Sequence, residues 1–196
     1  MGNTLWAFGC SQTAGEGLKD PSKEGYAGII AKELGLELKN KGISGASNKH
    51  IFWTFQNNFR KITSSDSIIL QWTHIERTTI ILNTNEVYMI GPWRNSVKAK
   101  SFYTHLHNEV DALWNTVNYI NLADFMCKKM SVNNVLHLKP PRINMKKLRS
   151  LIAQDVVMHE NIGHYLIDRG LDNAHPGPTS HKQYAKNLLE THYGIN

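Results

Sequence analysis

Apolar residues recur along this chain at two spacings, that of strands and that of helices. Thr4–Phe8 is a short β-like run that Gly9 breaks. Asp20-Pro21 opens a helix, with Asp20 as cap and Pro21 in the first turn. Tyr26, Ile29, Ile30 and Leu34 continue it at helical spacing until Gly35. A strand over 36–40 and a Gly/Ser loop over 41–48 follow. The next helix carries Ile51, Phe55, Phe59 and Ile62 on one face. Residues 67–72 form a continuous apolar strand of the kind buried in a parallel sheet.

This β-α-β-α-β alternation predicts an α/β sheet covered by helices on both faces. Residues 80–90 read as a small hairpin turning at Asn83-Thr84-Asn85. Leu106, Val110, Leu113, Val117 and Ile120 mark one long helix ending near Lys129. Asn134–Leu138 is another strand, stopped by Pro140-Pro141. A helix is expected over 155–168, with Asp155 and Asp168 as solvated carboxylates. The last helix starts near Thr179, where Ser180 and Gln183 have capping-box spacing, and buries Tyr184, Ala185, Leu188 and Leu189.

The 196 residues, 41% hydrophobic and 19% charged, suit one globular domain over 1–196. No apolar run reaches the length of a membrane span, and no signal peptide is visible. Trp6 stands where a myristoylation signal after Gly2 needs Ser or Thr. Cys10 and Cys127 sit in apolar surroundings and form no disulfide framework, which suits a reducing compartment; the expectation is cytoplasmic. The net charge of +6 favours approach to anionic partners, but the basic residues are scattered and show no nucleic-acid stripe.

Candidate chemistry lies at the two ends. Ser11 stands just past the first strand, and Asp172 and His175 stand three residues apart before the last helix. A serine, a histidine that takes its proton and an acid that orients the histidine make a nucleophilic hydrolase. Loops 9–17, 42–48 and 73–77 follow strands and open at the carboxyl edge of the sheet, where ligands bind in such folds. Loop 172–178 can fold over the same edge. Taken alone, Ser11 reads as a helix or turn cap, and with the other blocks as the nucleophile; Cys10 is the alternative nucleophile. Neighbours on a strand end point opposite ways, so Cys10 reads as a small buried hydrophobe.

The set resembles the SGNH (GDSL-type) hydrolase family over nearly the whole chain. Gly9-Cys10-Ser11 stands in for its Gly-Asp-Ser block, 40–48 matches its second block, and Asp172-Asn173-Ala174-His175 matches its Asp-x-x-His block, continued by His181 and Ala185. The resemblance implies a three-layer α/β/α sandwich with a mostly parallel, flavodoxin-like sheet. It implies Ser11 as nucleophile, His175 as base, Asp172 as its orienter, and the amides of Ser11 and Gly45 in the oxyanion hole. The third block departs: where the family places Gly-x-Asn-Asp, this chain has Gln71-Trp72-Thr73-His74. By position Thr73 replaces the Asn donor, with His74 or Asn48 as rivals. Asn48, Trp72, His74 and Arg77 are candidate substrate contacts. The Trp-Thr block followed by Arg77 is similar to phage-encoded members.

The expected activity is hydrolysis of a small acyl ester, such as an O-acetyl group on a carbohydrate, without metal or organic cofactor. The rival is a glycan-binding protein on the same fold, with Trp72, Trp93 and Tyr103 lining a sugar groove. His159 and His164 are five apart, so on a helix their rings diverge and hold no zinc. His105 and His107 are no better placed, His181 is assigned to structure, and loop 9–17 lacks the Lys-Ser/Thr of a phosphate loop.

Overall fold

A computed structural model describes residues 3–83 and 86–195. The chain starts with β1 (Thr4–Phe8), the single turn α1 (Ser11–Ala14), α2 (Pro21–Glu24), α3 (Tyr26–Glu33), β2 (Glu37–Asn40), α4 (Asn48–Phe59) and β3 (Ser67–Gln71). A hairpin β4 (Thr78–Ile81) and β5 (Val87–Ile90) leads to α5 (Val97–His105) and α6 (Glu109–Lys129). Then come β6 (Asn134–Leu138), α7 (Met145–Arg149), β7 (Met158–His159), a 3-10 turn (Ile162–Tyr165), α8 (Pro178–Leu188) and a π turn (Leu189–Tyr193).

Five strands form one sheet in the order β2-β1-β3-β6-β7, every neighbouring pair parallel. Successive side chains of a strand face opposite ways, and β1 shows the consequence. Trp6 and Phe8 join Ile51, Phe55, Val117 and Ile120 in a core beneath α4 and α6. Leu5 and Ala7 join Ile30, Tyr184, Ala185 and Leu188 beneath α3 and α8. Both faces of the sheet are therefore covered, and the architecture is the expected three-layer α/β/α sandwich. No helix among the described residues is long and apolar enough to cross a membrane.

Several elements differ from the sequence reading. The helix opened by Asp20 breaks at Gly25, whose extended backbone separates α2 from α3. Ile62 is buried beyond the end of α4 rather than on it. The helix expected from Leu106 begins only at Glu109, because the Asn108 side chain accepts from the Val110 and Asp111 amides and starts α6 there, while Leu106 closes the separate α5. Leu106 and Val110 are exposed. Residues 155–168 hold no α-helix; Val156 and Met158 are buried while Val157 is exposed, a two-residue period that adds β7 beside β6. The hairpin pairs as expected, although Thr84 and Asn85 of its turn lie outside the described residues.

Asp155 and Asp168 are not helix carboxylates. Asp155 pairs with Lys128 at 2.5 Å. Asp168 caps α8: its carboxylate accepts from the Thr179 amide at 3.0 Å and the Ser180 amide at 2.8 Å. The Ser180 hydroxyl is engaged with Asp168, so it forms no capping box with Gln183. Burial raises the Asp168 pKa, but the Ser180 hydroxyl and the two amides outweigh it and bring the group to about 2.

Candidate active site

β1 delivers Ser11 to the carboxyl edge of the sheet, and α1 begins with it. The turn is clamped from the neighbouring strand. Thr13 Oγ1 donates to Gln71 Oε1 and pairs with the Tyr26 hydroxyl at 2.8 Å, while Gln71 Nε2 donates to Gln12 Oε1 at 2.7 Å. Gln12 and Thr13, the two residues that follow Ser11 in the turn, are thus tied to the end of β3. Cys10 is buried, as expected of a strand-end neighbour facing the core.

The loop before α8 brings His175 back to this edge. His175 Nδ1 lies 2.6 Å from Asp172 Oδ2, and Nε2 lies 3.0 Å from Ser11 Oγ. An ionised carboxylate only accepts, so Nδ1 carries the proton and Nε2 is left to accept from the serine hydroxyl. The His175 amide and then the Ala174 amide, followed by the His175 ring, hold the Asp172 carboxyl well below the usual carboxylate range. The loop is pinned at both ends: the Leu171 amide donates to Gly17 O at 2.7 Å, and the Gly177 amide to Asp168 O at 3.0 Å. His181 is fully buried beneath it and accepts from the Tyr26 amide at 3.1 Å, so it ties α8 to α3.

Gly45 has φ +74°, a left-handed backbone that glycine adopts without penalty. Neither its amide nor that of Ser11 donates to another protein group among the described residues. In the register Phe8↔Leu70, Thr73 stands three residues past Leu70 as Ser11 stands three past Phe8. The Thr73 hydroxyl is buried and has no partner among the described residues. Asn48 is not free to compete with it. Its Nδ2 donates to Thr73 O and Thr116 Oγ1, each at 3.0 Å, and its Oδ1 accepts from the Thr73 amide at 2.7 Å. Asn48 is therefore a clamp on the third loop rather than a substrate contact.

Trp72 is also removed from the candidate substrate contacts: it is fully buried, and its Nε1 donates to His137 Nδ1 at 3.2 Å. His74 turns toward Glu76, with Nδ1 at 3.4 Å from the carboxylate; burial and then the Arg77 charge push its pKa down. Arg77 stacks on Trp93, its guanidinium carbon 4.6 Å from the ring centroid. Trp93 is half exposed and its ring edge would lie 3.4 Å from a Cβ on Gly45, so the exposed aromatic beside the site is Trp93. Tyr103 is held by donation to Glu76 O at 2.8 Å.

Glu16 carries no sequence signal of its own. Its carboxylate accepts from Ser44 Oγ and stands 3.8 Å from His175 Nε2. Glu16, Asp172 and His175 hold ligand atoms within 4.8 Å of one another. Asp172 and His175 are already bound to each other, and a cation bridging them would displace the hydrogen bond that sets the tautomer.

No family model matches the chain, and no curated protein does. Solved structures do. A member of the lipolytic G-D-S-L family from Veillonella parvula is similar at TM-score 0.55 and 12% identity, over 98% of this chain and 99% of that one. An acetyl xylan esterase from Butyrivibrio proteoclasticus matches at TM-score 0.57 and 16% identity, over 98% of this chain and 64% of that one. An acetylxylan esterase from Geobacillus stearothermophilus matches at TM-score 0.52 and 14% identity, over 97% and 94%. Likeness at such identity establishes the fold, and the chain has the α/β fold of the GDSL (SGNH) hydrolases.

Proposed function

We propose that this protein is a serine esterase that removes a small acyl group, such as acetyl, from a carbohydrate. The observation that carries this reading is the bridge made by His175 between Ser11 and Asp172, across 164 residues of sequence. His175 Nε2 takes the hydroxyl proton as Ser11 Oγ attacks the ester carbonyl. The tetrahedral oxyanion is met by the Ser11 and Gly45 amides, with the Thr73 hydroxyl as third donor. The imidazolium, stabilised by Asp172, returns the proton to the leaving alcohol. Water then attacks the acyl-enzyme with His175 again as base, and the acid departs.

The acetylated-sugar substrate is supported by the acetylxylan esterases of the same fold and by Trp93, whose exposed ring beside Gly45 suits a sugar face. A fluorophosphonate probe should label the wild-type chain on Ser11 and leave Ser11→Ala unlabelled. Labelling that persists in Ser11→Ala, or moves with Cys10, would end the assignment.

A further inference from the structure

Arg77 has an unmet need. Its Nε and Nη1 are shut off from solvent and find no acceptor among the described residues. A guanidinium cannot give up its charge, and a buried donor without an acceptor is costly. Its neighbour Glu76 does not answer it: that carboxylate lies 3.4 Å from His74 and 3.9 Å from Arg142. What Arg77 touches is the ring of Trp93, which in turn lies against Gly45. A continuous surface therefore runs from the oxyanion loop over Trp93 to the guanidinium.

Arg77 also walls a cavity of about 310 Å³ together with Lys49, Asp111, Asn115 and Tyr119. Lys49 makes no ion pair among the described residues. Asp111 accepts from Asn115 Nδ2 at 2.8 Å. The cavity thus holds two cations that make no ion pair among the described residues; of its two carboxylates, Glu76 faces His74 and Arg142, and Asp111 accepts from the neutral Asn115 amide. The first turn of α4 borders it and carries no acidic residue, so its positive end adds to the same field.

We propose that Arg77, assisted by Lys49, forms a subsite for an anionic group on the ester substrate. The group is a carboxylate or sulfate on a sugar ring that lies on Trp93 while its acyl ester reaches Ser11. This deepens the esterase reading and rests on it. The guanidinium fork matches two oxygens of such a group, which a neutral hydroxyl cannot replace. The net charge of +6 draws anionic substrates toward the protein.

Calorimetry on the full chain at low salt tests the subsite without any hydrolysis, using glucuronate, glucose 6-sulfate and glucose. At least one anionic sugar should bind about fivefold or more tighter than glucose, since a charged, bidentate contact is lost in the neutral sugar. The tighter of the two anions identifies the group. Arg77→Gln should remove the preference and Lys49→Gln should reduce it. Equal binding of all three sugars, absence of binding, or a preference that survives Arg77→Gln overturns the proposal. If Arg77→Gln does not fold, Lys49→Gln and Trp93→Ala decide: an unchanged preference in both overturns it. Hydrolysis of p-nitrophenyl acetate by the wild type and Ser11→Ala is measured alongside. Failure there, with the anion preference intact, strikes the esterase reading and leaves the subsite standing.

Discussion

Gly17 lies so close to Asp172 that a Cβ on it would stand 2.8 Å from the Oδ1 atom. The contact joins the turn of Ser11 to the loop of His175, and the Leu171 amide reinforces it by donating to Gly17 O. Gly17 also has φ +84°, which an alanine adopts only under strain. Gly17→Ala should push Asp172 away from His175 and lower kcat at least about tenfold, since small misplacements of catalytic groups are expensive. Ester turnover, checked beside circular dichroism, measures it; a folded variant with wild-type kcat would show that the contact is not needed.

Ser11→Ala and His175→Ala should each abolish turnover of an activated acetyl ester. The double variant should be little worse than either, because groups acting as a unit are not additive. Independent, additive losses would mean that the two residues do not work together.

Thr73→Val should lower kcat about 10²-fold or more while leaving KM nearly unchanged, as for loss of one oxyanion donor. Asn48→Ala should act differently. Removing its three hydrogen bonds to the third loop and α6 should cost stability, on the order of 1–3 kcal/mol, read as a lower urea midpoint. If instead Asn48→Ala leaves stability intact and lowers kcat, the donor role passes to Asn48.

Glu16 and Ser44 tie the serine turn to the Gly45 loop. Glu16→Ala and Ser44→Ala should each slow turnover, and the double variant should match the singles, because both remove one shared contact. Glu16→Gln keeps an acceptor for Ser44 and should fall least. A Glu16→Gln variant as slow as Glu16→Ala would show that the charge beside His175, not the tether, matters.

Burial pushes His181 down to about 4. An unfolded histidine titrates near 6.5, so between these values the unfolded chain binds a proton that the folded chain refuses. Stability should therefore fall as pH drops from 6.5 toward 4, by about 3 kcal/mol from this residue at roughly 1.36 kcal/mol per unit. His192, also lowered to about 4, chiefly by burial, adds to the same slope. His181→Asn, which keeps an acceptor for the Tyr26 amide, should flatten urea midpoints measured across that range; an unchanged slope would place the acid sensitivity elsewhere.

The elements legible in the sequence are those whose own periodicity decides burial. β1, β3, α4 and β6 read directly because each presents an unbroken or regularly spaced apolar face. α5 was invisible, since among its residues only Ala99 is buried. β7 was mistaken for part of a helix because two paired residues are too few to show a period. The Asn108 cap was readable, but the apolar spacing across it suggested a single helix. At the candidate site, motif spacing marks Ser11, Asp172 and His175, whereas Glu16 meets His175 only through tertiary folding. Trp72 is a candidate contact by sequence yet buried in the fold, because an aromatic beside a loop reads the same whether it faces a groove or the core.

The distance along the chain between Ser11 and His175 also matters while the protein is being made. At roughly 5–20 residues per second, the serine leaves the ribosome several seconds or more before its partner. During that interval it is an ordinary alcohol, with no base to activate it. The loop of His175 is pinned only when Leu171 reaches Gly17 and Asp168 caps α8. On the proposed mechanism Ser11 is therefore activated only by completion of the fold, and a growing or half-folded chain has no reactive serine to turn on the esters around it.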